Sequence, residues 1–271
     1  MQISSPASSF GQRYNRREGV RVVKQVQAPQ IRQLAGIPDT LLLWDIDRTL
    51  LTTAGVSREM YSLAFESLTG IASTVVADTA GRTEFEIMNE LFRGNAIGAD
   101  RSWLPTDIEQ VLVDSLTQMQ IELARRGSAL PGAESALRTL AEIPSIFQSV
   151  LTGNVRRNAA IKLATFGLDG WLDLSVGAYG SDGKARWELV DLARQRAGGK
   201  YRRAFDADST IIVGDTPKDV EAGLLGGAKT IAVASGTSSV QTLLDAGADY
   251  AIESLDSTEA FVRAIVELRR G

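Results

Sequence analysis

Two periodicities alternate along this chain. Short, mostly apolar runs recur at 41–46 (LLLWDI), 145–153 (SIFQSVLTG), 173–180 (DLSVGAYG), 209–215 (STIIVGD), 229–235 (KTIAVAS) and 249–254 (DYAIES). Each predicts a strand, because a brief apolar run bounded by turn-forming residues suits a strand covered on both faces. Between them, apolar positions return at helical spacing over 132–142, 155–166, 185–197, 217–226, 237–246 and 256–269. Strand–helix alternation predicts crossover units and an α/β fold with a parallel sheet, which gathers ligands at the carboxyl ends of its strands.

The rhythm breaks between residues 52 and 128, where helical patterns (57–68, 83–93, 106–126) stand without a convincing strand. A small helical domain, inserted straight after the first strand and covering a site, is the expected arrangement. The expected division is a core of residues 39–52 and 129–271, a helical unit of residues 53–128, and an extension of residues 1–38. That extension is polar and basic, with Arg13, Arg16, Arg17, Arg21, Lys24 and Arg32 against Glu18 alone. It reads as a loosely ordered tail or an arm packing on a partner. Arg16-Arg17 is not followed by the apolar stretch that a twin-arginine export signal needs.

Composition narrows the chemistry. With 271 residues, 44% of them hydrophobic, the chain can bury a full core, and its net charge of −4 argues against a general nucleic-acid binder. No apolar run approaches the ~20 residues that span a bilayer. There is no cysteine, which excludes disulfides and thiolate chemistry, and no histidine. Imidazole bases, Ser-His-Asp triads and histidine-bound zinc are thereby excluded as well. Hydrolytic chemistry must run on carboxylates, hydroxyls and lysine, with a hard metal ion as a further candidate. The expected setting is cytoplasmic, as a monomer or homodimer, with no membrane partner.

Carboxylates collect where the strands should end. Asp45 and Asp47 close the first run, two apart and so on one face of a strand, where two like charges repel. The second run ends in Thr152, Gly153 and Asn154, and the fourth in Gly214 and Asp215, with Asp219 four residues later. The loop SDGKAR after the third run carries Lys184 and Arg186. Several carboxylates without histidine or cysteine suit an oxygen-seeking ion such as Mg²⁺, and a hydroxyl and a cation suit the oxygens of a phosphate.

These residues resemble, in order, the four motifs of the haloacid dehalogenase (HAD) superfamily of phosphohydrolases. DIDRT (45–49) resembles the D-x-D-x-T motif, LTGN (151–154) the second, Lys184 stands for the third, and GDTPKD (214–219) resembles the acidic fourth. The resemblance covers about residues 40–254 and implies a Rossmann-like core with a type 1 helical cap. It also implies a Mg²⁺-dependent phosphatase, of the phosphoglycolate-phosphatase-like type, acting on a small phosphorylated metabolite.

By the same resemblance, Asp45 is the nucleophile and a metal ligand, and Asp47 the general acid and base, with its main-chain carbonyl on the metal. Thr49 orients Asp47, and Thr152 and Lys184 hold the phosphoryl group beside Gly153 and Asn154. Asp215 ligates Mg²⁺, with Asp219 as ligand or support. Two departures stand out. Arg48 occupies a position that is usually glycine, and the third motif reads K-A-R-W without its prolines. Arg186 is therefore the alternative to Lys184, which its spacing to the next helix favours. In the insertion, Arg82 and Thr83 open a helix within TAGRTEFEIMNELF (79–92), where an arginine and free amides suit an anionic substrate group and Thr83 suits an N-cap. Arg48 and Arg82 are the candidates for substrate choice.

The presence of Asp47 disfavours dehalogenase chemistry. The lack of any lysine over residues 52–99 disfavours the phosphonate-cleaving relatives. The alternatives left are a phosphomutase of the β-phosphoglucomutase-like type and a non-catalytic regulatory module on the same scaffold.

Overall fold

The computed structural model describes residues 34, 36–98 and 103–270, so the extension's arginines and Lys24 lie outside the described residues. Six strands form one parallel sheet in the order β5-β4-β1-β6-β7-β8: β1 (Thr40–Trp44), β4 (Ile146–Thr152), β5 (Ala178–Tyr179), β6 (Thr210–Gly214), β7 (Lys229–Val233) and β8 (Tyr250–Ile252). Every residue of β1 and β6 is buried, which explains why both read as unbroken apolar runs.

Side chains of β1 alternate between two cores. Leu42 and Trp44 pack with α5 (Ala133–Ala141), α6 (Arg156–Thr165) and α10 (Thr258–Arg270), and the Trp44 and Phe261 rings lie 5.2 Å apart. Leu41 and Leu43 face α7 (Glu188–Tyr201) on the other side. The sheet is completed by α8 (Pro217–Gly226) and α9 (Val240–Asp245). Leu34 and Ile37, within the expected tail, are buried in the first core.

Register brings the strand ends level. Trp44 lies opposite Val150 of β4 and Val213 of β6. Asp45, Thr152 and Asp215 therefore emerge at one rim, where the strand order turns to either side of β1.

A two-residue antiparallel pair, β2 (Leu51–Thr52) and β3 (Ser128–Ala129), marks where the chain leaves and re-enters the core. Between them lie α1 (Val56–Thr69), α2 (Glu84–Gly94), α3 (Pro105–Gln118) and α4 (Gln120–Arg126), with their own apolar cluster around Met60, Phe65, Met88 and Leu112. The pattern at 106–126 is two helices rather than one. Thr117 Oγ1 donates to the Val113 carbonyl just before the break at Met119, a back-bond that bends helices. The expected third strand shrinks to two residues because Asp173 accepts from the Ser175 N–H and hydroxyl, turning the chain before it reaches the sheet. No helix among the described residues is long and apolar enough to cross a membrane.

Candidate active site

Beyond Trp44 the chain drops out of strand geometry, so Asp45 and Asp47 do not share a face as their spacing predicts. Asp45 is buried and accepts from Arg186 Nη2 at 2.9 Å and, weakly, from Thr49 Oγ1 at 3.5 Å. Asp47 turns the other way and accepts from Asn154 Nδ2 at 2.8 Å and from Lys162 Nζ at 2.8 and 2.9 Å. Different partners separate the two like charges.

The turn between β1 and β2 passes through Arg48, whose φ of 66° is left-handed, a conformation that favours glycine. Its amide donates to the Leu51 carbonyl at 2.7 Å and its carbonyl accepts from Ser235 Oγ at 2.5 Å. These bonds hold a strained residue, at a cost of about 1–2 kcal/mol.

Three carboxylates face one another behind Asp45. One oxygen from each of Asp45, Asp215 and Asp219 lies within 4.8 Å of the others. Asp219 is fully engaged: one oxygen accepts from Thr216 N (3.0 Å) and Oγ1 (2.6 Å), the other from Arg186. Asp215 accepts only from Thr49 Oγ1 at 3.3 Å, and its Oδ2 is buried without a partner among the described residues. Burial, then the charge of Asp219, raise the Asp45 carboxyl to about 7 and the Asp215 carboxyl to about 8. Four carboxylates, with Asp47, share two contacting cations, Arg186 and Lys162, so the cluster is two positive charges short and Asp215 contacts neither cation. An all-oxygen set with that deficit and an unpartnered oxygen fits a hard divalent cation, with Asp45 and Asp215 free to bind it and Asp219 holding Arg186.

Asp45, Asp47, Arg48, Thr152, Gly153, Asn154, Arg82, Arg186 and Asp215 line a single polar cavity of about 190 Å³. Thr49 sits buried behind it, bridging Asp45 and Asp215. Thr152 Oγ1 accepts from Asn154 Nδ2 at 2.7 Å, leaving its proton free to be donated. Lys184 does not reach the cavity. It is exposed and lines a separate groove, whereas Arg186 contacts Asp45. Arg82 lines the cavity, but its guanidinium is paired with Glu90 and lies 3.9 Å from Asp78. Thr83 caps α2 in a reciprocal box with Glu86, as its position predicts.

The insertion closes down on the core. The Glu84 amide donates to the Gly153 carbonyl at 2.9 Å, and a Cβ on Gly153 would lie 2.3 Å from the Arg82 carbonyl oxygen. Glu84 is itself buried, accepting from the Val155 amide at 3.0 Å, Asn158 Nδ2 at 3.0 Å and the Tyr61 hydroxyl at 3.5 Å. Burial raises it to about 7, against the lowering pull of Lys162. Sequence reasoning overlooked Lys162. The available signal was two polar residues one turn apart, Asn158 and Lys162, on the face of α6 that also carries Ala159 and Leu163.

Residues 182–258 match the HAD-hydrolase-like family. Among solved structures, a HAD hydrolase of family IA, variant 3, from Entamoeba histolytica superimposes with a TM-score of 0.62 at 17% identity, covering 86% of this chain and 100% of its own. The fold is that of the HAD hydrolases. A hydrolase from Pseudomonas syringae superimposes with a TM-score of 0.60 at 20% identity, over 83% of this chain and 99% of its own. CbbY from Rhodobacter sphaeroides, solved with phosphate, does so with a TM-score of 0.60 at 18% identity, over 80% and 95%. No curated protein matches the sequence. The chain therefore shares the fold of these hydrolases, and its residues 182–258 match the HAD-hydrolase-like family model.

Proposed function

We infer that this chain is a Mg²⁺-dependent phosphatase that releases phosphate from a small phosphorylated metabolite through a phosphoryl-aspartate on Asp45. The observation that carries the reading is Asp45 at the floor of a small polar cavity, held by Arg186 beside the unpartnered carboxylate oxygen of Asp215.

Arg186 and Thr152 hold the phosphoryl oxygens, and Thr49 keeps Asp45 and Asp215 in place. An Asp45 oxygen attacks phosphorus as the ester P–O bond breaks, and the departing oxygen takes a proton from Asp47. Water then loses a proton to Asp47 and attacks the same phosphorus, breaking the bond to Asp45 and restoring both carboxyls. Asp45 and Asp215 would hold Mg²⁺, which would supply the positive charge that lets an anionic phosphoryl group approach an anionic nucleophile. Size and lining support a small, polar substrate: besides the residues named, Ser57, Arg58 and Tyr61 face the cavity. The closed insertion supports exclusion of bulk water during the first transfer.

The deciding experiment measures inorganic phosphate released from a panel of alkyl and aryl phosphates, with Mg²⁺ and with chelator, for the wild type and Asp45→Asn. Release that needs both Mg²⁺ and Asp45 supports the reading. No release from any ester sinks it, and an isomerised product without phosphate would indicate a mutase instead.

A further inference from the structure

Lys162 is the most deeply buried charge in the site, with no exposed surface at all. It rises from the second turn of α6, and helical side chains lean towards the N-terminus of their helix, so its stem runs back to the exit of β4. An ammonium there is far from water and must find acceptors for all three of its N–H bonds. It finds three: Asp47 Oδ1 at 2.9 Å, Asp47 Oδ2 at 2.8 Å and Asn154 Oδ1 at 2.6 Å.

Asn154 completes the frame. With its oxygen committed to Lys162, its Nδ2 points at Asp47 Oδ2 (2.8 Å) and Thr152 Oγ1 (2.7 Å). Asp47 thus receives three donations, one from the turn after β4 and two from α6. Its side chain keeps 35% exposure towards the cavity, while that of Lys162 keeps none. The ammonium is screened by the carboxylate that it holds and cannot touch a substrate.

We propose that Lys162 is a positioning residue for the general acid and base: it acts through Asp47, fixing the plane and direction of that carboxylate from behind, with Asn154 as its brace. This rests on the phosphatase reading, in which Asp47 moves the protons. It separates two demands on Asp47 that a surface carboxylate could not meet together, free access from the cavity and one fixed orientation. Glu84, on the same side of α6, places a second buried carboxyl near the ammonium, so that closure of the insertion bears on it as well.

The test compares kcat on an alkyl phosphate that the wild type hydrolyses with kcat on 4-nitrophenyl phosphate, whose leaving group needs little protonation. Lys162→Met is expected to slow the alkyl ester by about 10- to 100-fold, a share of the ~10²–10⁴ that acid–base catalysis contributes, and the aryl ester far less. Lys162→Gln, which retains a donor one bond shorter, is expected to recover part of the loss. In an Asp47→Asn background, Lys162→Met should cost nothing further on the alkyl ester, since residues acting as one unit are not additive. Equal losses on both esters, or losses that multiply in the double variant, overturn the proposal while leaving the phosphatase reading intact. If the wild type hydrolyses neither ester, both fall. Should Lys162→Met fail to fold, Asn154→Ser removes the brace instead: unequal losses uphold the proposal and equal ones overturn it.

Discussion

Arg186 donates to Asp45 at 2.9 Å from a loop 141 residues further along the chain. Both groups are almost fully buried, and the same guanidinium nitrogen also reaches Asp219. One cation therefore ties the floor of the cavity to the start of α8, and it is not the lysine two residues earlier. Arg186→Ala is expected to lower kcat/KM by about 10- to 100-fold, the equivalent of a charge-assisted hydrogen bond worth roughly 1.5–3 kcal/mol. Lys184→Ala should leave it unchanged. Steady-state kinetics on one phosphate ester checks both, and the reverse ranking would return the role to Lys184.

The buried carboxyls set a pH dependence whose sign follows from linkage. Asp45 and Asp215 rise from an ordinary 3.8 to about 7 and about 8 in the folded protein. Between those limits the folded state holds protons that the unfolded chain has released, so metal-free stability falls as pH rises through this window. The melting temperature without Mg²⁺ should therefore drop between about pH 5 and about pH 8.5, and Mg²⁺ should restore most at the upper end. Asp215→Asn should flatten the pH profile and abolish the Mg²⁺-induced rise, and differential scanning fluorimetry reads both.

How far the sequence carries depends on how local the cause is. The parallel sheet was legible because β1, β4, β6 and β7 are apolar runs that need only burial to become strands. Asp45, Thr49, Thr152 and Asp215 were legible as candidates because each sits at or just past a strand end, and register alone levels those ends. The choice between Lys184 and Arg186 was not. A short 3₁₀ turn at Gly180–Asp182 and the left-handed Gly183 aim the loop, and neither is visible in residue spacing. Lys162 and Glu84 escaped for a different reason: their partners lie 115 and 71 residues away, and one strand or helix read alone says nothing of such pairs.

Glu84 offers a direct measure of what closes the insertion. Glu84→Ala would leave the Val155 amide and the Asn158 side chain without their acceptor, and a buried orphaned donor costs about 1–3 kcal/mol. Urea denaturation should show a loss of at least that size. A change no larger than that of an exposed control such as Glu66→Ala would mean that water replaces the carboxylate, and that closure rests on backbone contacts instead.

One of those backbone contacts can be tested by adding a single carbon. Gly153→Ala places a Cβ 2.3 Å from the Arg82 carbonyl oxygen, closer than packed atoms tolerate. The expected result is an insertion held away from the core, seen as a larger radius of gyration in small-angle scattering, together with a fall in kcat/KM. An unchanged radius and unchanged kinetics would show that the backbone adjusts without opening.

Arg48 and Arg82, both expected as candidates for substrate choice, differ in their surroundings. The Arg82 guanidinium already has Glu90 and Asp78 for company, whereas no ion pair engages Arg48 among the described residues. Arg48→Ala should reorder a panel of phosphate esters, and Arg82→Ala should leave the order as it is. Ranked kcat/KM values across the panel decide, and identical rankings in both variants would remove Arg48 from substrate choice.

The β2–β3 pair gives the molecule a single doorway. Leu51 faces Ala129 and Thr52 faces Ser128, so the chain departs and returns through neighbouring residues. Such a joint makes the helical unit an exchangeable cassette: another segment with paired ends could be spliced into the same place without altering a strand of the sheet. The machinery that breaks the bond and the roof that admits the molecule can then change independently, and one catalytic floor can serve many different guests.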